Sequence, residues 1–363
     1  MKVLYFSTVN WKWIKQRPHF ICEGLSEKGI DIEYISLTPF LKQKKQKKIK
    51  INEHLTINDQ YVIPFASKNS IIERINISYI EQIINKKYDV IIITHPLHYH
   101  YLKKALRYNP KVIYECMDNM PYFYEGIYQE KIKRLENEIC KKVDFIITSS
   151  HYLKDKIIDE YTIAMSKIAV IPNAVDSKIQ FKSKNEETRS TLRLKEKNLV
   201  YIGTVGKWLD LELIYEYAKE NPTDSIYLVG PIDIGKQVNA ASNIEFVGSV
   251  AHEHIADIIK QAEILLIPFK IDELIRGVDP VKIYEYKAFG KYIISSWWEE
   301  LEKHNDNKCI MFYKTKEEFK ESINQARGKF KQQHTKIDKK YINQNSWSSR
   351  VKKYIGILEI INK

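Results

Sequence analysis

Short runs of β-branched residues, apolar throughout and separated by helical patterns, recur along almost the whole of this chain. Asp89-Val-Ile-Ile-Ile-Thr94 is the clearest of them, and its lack of alternation fits a parallel strand covered on both faces. Comparable runs fall at Lys2–Phe6, Asp31–Leu37, Lys111–Cys116, Asp144–Thr148 and Ile168–Ile171. Helical spacing occupies Pro18–Lys28, Ser70–Asn85, Leu97–Tyr108, Glu125–Lys142 and His151–Tyr161 between them. Strands alternating with helices in this way predict a doubly wound α/β domain.

The pattern then stops and restarts. Asp176–Lys197 is polar, charged and aperiodic, which reads as a linker. Beyond it, strands are expected at Asn198–Ile202, Ser225–Val229, Ile244–Val247, Glu263–Ile267, Lys291–Ser295 and Lys308–Phe312. Helices are expected at Leu209–Glu220, His252–Gln261, Val281–Phe289 and Lys316–Arg327. A chain of 363 residues is long for one core, so two domains are expected. Their ranges are 1–175 and 198–340, joined by the linker 176–197. The tail 341–363, with its amphipathic stretch Trp347–Ile361, is expected to close against the first domain. Two such halves face each other across a central cleft, where ligands meet the C-terminal ends of the strands.

Composition narrows the class further. The 44% hydrophobic and 29% charged fractions suit a water-soluble globular protein, and no apolar run reaches the length of a membrane span. The N-terminus lacks a signal-peptide pattern, and four scattered cysteines show neither disulfide nor zinc spacing. A cytoplasmic protein with reduced thiols is expected. The net charge of +12 is densest in Lys42-Gln-Lys-Lys-Gln-Lys-Lys-Ile-Lys50. That run suits either a solvated loop or contact with an anionic membrane, which would put the protein on the inner membrane face. Nucleic acid is disfavoured, because no zinc-finger, helix-turn-helix or RNA-binding aromatic signal accompanies the charge.

Nucleotide-site motifs discriminate better. No Gly-x-Gly-x-x-Gly follows either first strand; Gly203-Thr-Val-Gly206 is wrongly spaced, and Gly206-Lys207 is followed by Trp208 rather than Ser or Thr. The strongest segment is Asp279-Pro-Val-Lys-Ile-Tyr-Glu-Tyr-Lys-Ala-Phe-Gly-Lys291. Asp279 is read as an N-cap with Pro280 at the first helical position, and Gly290 closes the helix. Such a helix start offers free N–H groups and a positive dipole end to a diphosphate. Lys282 adds charge in the first turn, and Glu285 lies three residues on along the same face.

This segment resembles the Asn-Pro-x-Lys-x-Tyr-Glu-Tyr-x-Ala-x-Gly-Lys-Pro motif of bacterial GT-B glycosyltransferases, notably the teichuronic acid and capsule assembly group. Further similarities follow in order: Gln16-Arg-Pro-His-Phe20, Tyr114-Glu-Cys-Met-Asp-Asn119, Val170-Ile-Pro-Asn-Ala-Val-Asp176, Ala262-Glu-Ile-Leu-Leu-Ile-Pro-Phe269 and Asn345-Ser-Trp-x-x-Arg350. The resemblance implies a GT-B fold of two Rossmann-like domains. It implies a nucleoside-diphosphate sugar, UDP ahead of GDP, in the second domain and an acceptor glycan in the first. Glu285 would hold the ribose, and Lys282, Val281 and Asp279 would form the diphosphate end of the site. Gly203 and Thr204 would allow close approach, Lys207 would add charge, and Val250 would meet the base through main chain. Many retaining members carry a Glu eight positions before the ribose Glu, where this chain has Gly277. Asp279 or Arg276 is the available substitute.

On the acceptor side, His19, His95 and Asp118 follow strands or open helices, and each is a candidate base or orienting group. Trp11, Trp13 and Arg17 are assigned to the acceptor. No Asp-x-Asp motif occurs, and no metal is expected, since helix dipole and cations can stabilise a leaving diphosphate. The acceptor is expected to be a cell-surface polysaccharide or a lipid-linked glycan. The rival readings are a GT-B epimerase or phosphorylase and a non-catalytic glycan-binding scaffold.

Overall fold

A computed structural model of the chain describes residues 1–39, 48–65, 69–178, 192–235, 241–251, 254–305, 309–330 and 337–362. They divide into two compact units: Met1–Pro172 with Trp347–Lys363, and Asn173–Ser346.

The first unit opens with β1 (Lys2–Ser7), α1 (Arg17–Ser26), β2 (Asp31–Pro39), β3 (Ile49–Asn52), β4 (Leu55–Ile57), β5 (Gln60–Val62) and α2 (Ser70–Ile83). It continues with β6 (Val90–Ile93), β7 (Lys111–Cys116), α3 (Gly126–Lys142), β8 (Phe145–Thr148), α4 (His151–Tyr161) and β9 (Ile168–Val170). The strands order as β3-β4-β2-β1-β6-β7-β8-β9, with β5 also paired to β2. β1, β6 and β7 lie at the middle of the sheet and are almost entirely buried, as runs without alternation require.

Two expectations fail here. Leu97–Tyr108 is not an α-helix but two 3₁₀ segments, Pro96–Leu102 and Ala105–Tyr108. The Leu97 N–H is captured by the His95 ring and Asn109 adopts a left-handed conformation (φ 55°), which together confine the segment to tight turns. The strands β3 to β5 were not foreseen. Lys42 to Lys47 of the basic run lie outside the described residues, while Lys50 belongs to β3 rather than to a loop.

The second unit contains β10 (Asn198–Ile202), α5 (Leu211–Glu220), β11 (Ser225–Val229), β12 (Ile244–Gly248), α6 (Ile255–Gln261), β13 (Ile264–Ile267) and α7 (Glu273–Arg276). It ends with α8 (Val281–Ala288), β14 (Tyr292–Ser296), β15 (Ile310–Tyr313), α9 (Lys316–Phe330) and α10 (Lys339–Gln344). Its sheet runs β12-β11-β10-β13-β14-β15 and is parallel throughout. Asn173 begins this unit because its backbone N–H and side-chain amide both bond Asp279, at 2.7 and 2.5 Å. Of the segment read as a linker, 179–191 lie outside the described residues.

The last helix, α11 (Trp347–Ile361), returns to the first unit and packs on α1, where Trp347 stacks on Phe20 at 5.0 Å.

Candidate functional site

Three neighbouring strands of the second unit end in glycine. Gly203 follows β10, Gly230 follows β11 and Gly248 closes β12, with φ of 144°, 146° and 79°. The Gly203 N–H donates to the Val229 carbonyl at 2.7 Å, and the Gly230 N–H to that of Gly248 at 2.8 Å. These links lace the three strand ends together as bare backbone. A Cβ on Gly230 would lie 2.1 Å from the Gly203 carbonyl oxygen, so no other residue fits without displacement. Only Gly203 was singled out from the sequence. Gly230 and Gly248 each end an apolar strand run, and that adjacency was the available signal.

α8 lays Lys282 across this row. A Cβ on Gly203 would lie 2.1 Å from Lys282 Cε, so the lysine passes directly over the glycine. Its ammonium sits 5.4 Å from the Tyr201 ring centre and 5.6 Å from that of Phe269. Burial pulls the Lys282 pKa down to about 8, against the opposing charge of Glu285. A cation held there is poorly solvated, and an arriving anion restores what it lacks. Tyr286 fixes the helix to the sheet by accepting the Ile202 N–H at 3.1 Å, and the Tyr201 hydroxyl donates to the Thr204 carbonyl at 2.9 Å. Gly203, Thr204, Val281, Lys282 and Glu285 thus cluster where the end of β10 meets the start of α8. Lys207 is exposed on the following loop, which is strapped down by Val205 N–H to Pro231 O and Asp233 N–H to Val205 O, each 2.8 Å. Val250 is half-buried just beyond β12.

Asp279 is not the N-cap of α8. Pro280 occupies that position without a side-chain cap, and Asp279 is turned inward and buried. Its carboxylate accepts from the Asn173 N–H at 2.7 Å and the Tyr284 hydroxyl at 3.0 Å, and pairs with Lys303 Nζ at 2.8 Å. Burial opposes its charge, but Lys303 and His304 outweigh that and hold the carboxyl below the usual range. It acts as the anchor of the loop that aims α8. The sequence missed this because Lys303 is distant along the chain. Arg276, the other substitute at the Gly277 position, pairs with Glu273 and Glu299 at 3.2 and 3.0 Å.

In the first unit, Asp118 lies two residues past β7. Its carboxylate is half-buried and makes no hydrogen bond among the described residues. Burial lifts its pKa to about 6, with Arg17 pulling the other way. The two histidines are more fully engaged. His19 Nδ1 accepts the Gln16 N–H at 3.1 Å and Nε2 meets the Trp11 carbonyl at 3.0 Å, which makes the ring the cap of α1. His95 Nδ1 accepts the Leu97 N–H at 3.1 Å and Nε2 meets the Tyr124 hydroxyl at 3.0 Å, and burial alone drops its pKa to about 4. Both rings are therefore neutral and structural in this arrangement. Arg17 is buried against Glu115 at 2.6 Å and the Tyr354 hydroxyl at 2.8 Å, which leaves it no path to an acceptor. Trp11 is half-buried beside His19 and Tyr34, while Trp13 is exposed.

Residues 19–178 match the family described as Glycosyltransferase Family 4, and residues 210–356 match the one described as Glycosyl transferase-like. The two glycosyltransferase models thus fall one on each unit, and the fold is GT-B. A teichuronic acid biosynthesis glycosyltransferase of Bacillus subtilis (strain 168), TuaH, is 25% identical over 199 residues, covering 51% of this chain and 50% of that protein. The chain thus spans about half the length of this curated relative. Among solved structures, sucrose-phosphate synthase of Thermosynechococcus elongatus aligns with a TM-score of 0.75 at 12% identity, over 99% of this chain and 98% of that one. HepE of Anabaena, solved with UDP and glucose, aligns at 0.70 and 11% identity over 99% of each chain. These likenesses fix the fold.

Proposed function

We propose that this glycosyltransferase moves a sugar from a UDP-sugar to a cell-surface polysaccharide or lipid-linked glycan. The observation that carries the donor half is Lys282, laid across the glycine-ended strands with Glu285 one turn farther along α8. Bare backbone admits the diphosphate closely, Lys282 and the first amides of α8 take its charge, and Glu285 accepts from the ribose hydroxyls. UDP as the nucleotide is supported by HepE, whose structures hold UDP and UDP-glucose. A polysaccharide acceptor is supported by the match to TuaH.

Asp118 is the proposed acceptor-side group, because its carboxyl is unengaged where both histidine rings are occupied. In an inverting transfer it takes the acceptor hydroxyl's proton while that oxygen bonds the anomeric carbon. The bond to the UDP oxygen breaks, and the electron pair leaves with the diphosphate. Cations and helix end supply the compensating charge, so the reaction needs no metal. Lys42–Lys50 is the proposed contact with anionic lipid, which would hold the protein on the inner membrane face.

The test is a screen of nucleotide-sugars by thermal shift and turnover, repeated with Glu285→Ala. Stabilisation by UDP-sugars that Glu285→Ala abolishes supports the reading. Absence of UDP and GDP binding by calorimetry would overturn it in favour of a scaffold. Release of free UDP without any acceptor, or consumption of phosphate, would reassign the same site to an epimerase or phosphorylase.

A further inference from the structure

The His95 ring is buried, and with its pKa held at about 4 it is neutral, so its two nitrogens share one proton. Nδ1 accepts the Leu97 N–H and therefore carries none. The proton lies on Nε2, which donates it to the Tyr124 hydroxyl oxygen 3.0 Å away. The tyrosine's own O–H must then point away from His95, and it meets no acceptor among the described residues. Tyr124 is half-buried, and burial, with Tyr128 beside it, raises its pKa and keeps it a protonated donor. Its support is stiff. In the connection from β7 to α3, the Met120, Tyr122 and Tyr124 N–H groups donate to the Asp118, Asn119 and Pro121 carbonyls at 2.8, 3.0 and 3.2 Å. Lys156 Nζ grips Asn119 Oδ1 at 2.6 Å.

We propose that Tyr124 binds a pyranose ring of the acceptor through its hydroxyl, and that His95 is the positioning residue that turns this hydroxyl toward it. His95 lies just beyond β6 and Tyr124 beyond β7, which are neighbouring parallel strands. Their C-terminal ends are the edge at which open α/β sheets take ligands. The surroundings select the ligand class. Tyr128 packs its ring 5.7 Å from that of Tyr124, and Phe123, the preceding residue, is 43% exposed. A fixed O–H donor bordered by aromatic carbon suits a ring that offers an oxygen as acceptor and a C–H face to lie flat. An anionic group finds less here, because the neutral His95 supplies no charge. The same connection carries Asp118, the proposed base. The inference deepens the acceptor half of the proposed function and rests on it only for which substrate fills the site, since sugar binding at Tyr124 requires neither UDP nor transfer.

The test is saturation-transfer NMR titration of the full-length protein, with and without UDP. The probes are the methyl pyranosides of glucose, galactose, N-acetylglucosamine and glucuronic acid, with glycerol 3-phosphate as an open-chain anionic control. Tyr124→Phe keeps the ring and removes the donor. His95→Asn keeps an acceptor for the Leu97 N–H, since Asn caps helix starts well, but is too short to reach Tyr124. At least one pyranoside should bind the parent protein, and glycerol 3-phosphate should not. The Kd of that pyranoside should rise about three- to tenfold in Tyr124→Phe, the scale of one lost neutral hydrogen bond, and about twofold or more in His95→Asn. Absence of pyranoside binding to the parent overturns the inference. So does parent-like affinity in Tyr124→Phe, which with a lowered melting temperature would make the His95 contact purely structural. Parent-like affinity in His95→Asn would remove the positioning role. UDP calorimetry on the same samples tells the readings apart: sugar binding without UDP binding is failure of the donor reading alone.

Discussion

Arg17 donates to Glu115 across 2.6 Å in the interior of the first unit, with both side chains screened from solvent. Glu115 also accepts from the Tyr5 hydroxyl at 2.6 Å and from Tyr354, which reaches in from α11. The network therefore pins β1, β7, α1 and the C-terminal helix at one point. Removing the cation strands a buried carboxylate, a loss of about 3–5 kcal/mol. Arg17→Met is expected to lower the urea midpoint strongly. Were Arg17 an acceptor ligand instead, the variant would keep its stability and show only a raised acceptor KM.

Gly230 is under a comparable constraint, of conformation rather than charge. Its φ of 146° and the Gly203 carbonyl oxygen 2.1 Å from any Cβ leave no room for alanine. Gly230→Ala is expected to destabilise by about 1–3 kcal/mol from backbone strain alone, and to displace the Gly203 backbone that Lys282 crosses. Thermal melts and UDP calorimetry check both parts. A variant with unchanged UDP affinity would show that the three strand ends are not the diphosphate floor.

These two positions also mark how far the sequence was legible. The two α/β units could be read because runs such as Val90–Ile93 are apolar on both sides of the pleat, and only a covered parallel sheet accommodates that. That Lys282 and Glu285 share one helix could be read from their spacing alone. Asp279 was misjudged because its partners, Asn173, Lys303 and His304, are remote in sequence, and local capping rules say nothing of a side chain turned inward. Arg17 was misjudged for the same reason, since Glu115 and Tyr354 reach it only through the tertiary fold. His19 and His95 were candidate base or orienting groups because they follow a strand or open a helix. Their rings instead hold backbone amides two or three residues away, a role that the adjoining Pro18 and Pro96 hinted at by marking helix starts.

Lys282 gives the proposed donor site a pH signature. Burial holds its pKa at about 8, and in the proposed donor role it is the protonated form that binds a diphosphate. UDP affinity should be full below pH 8 and fall as pH rises through it, with proton uptake on binding visible as a buffer-dependent calorimetric heat. For folding the sign is opposite. The lysine is less easily protonated folded than unfolded, so stability rises with pH from about 8 towards the ordinary lysine value of about 10.4. Lys282→Met should therefore bind UDP at least about tenfold more weakly, as expected when a charge-assisted contact is lost, yet melt no earlier than the parent. An earlier melt would make Lys282 a packing residue.

If Lys282 and the start of α8 carry the diphosphate charge, a divalent ion is unnecessary. Transfer measured after EDTA treatment should then equal that in magnesium to within about twofold, since the fixed cation and dipole already stabilise the leaving group. Loss of transfer in EDTA, restored by magnesium, would remove the metal-free scheme.

Asp118, the proposed acceptor-side group, has a titration that can be followed directly. Burial raises its carboxyl pKa to about 6, and a general base works only when ionised. Turnover should therefore rise through pH 6 and level off above it, because the proton that blocks the base is then lost. Asp118→Asn keeps the size and removes the base. It should lower kcat by about 10²–10⁴, abolish the acidic limb and leave UDP binding intact. Its stability near pH 8 should not fall, since the folded protein no longer has to bury an ionised carboxylate whose pKa the fold had raised. A variant that keeps the same acidic limb would assign it to another group, and a retained kcat would make Asp118 at most an orienting residue of the acceptor face.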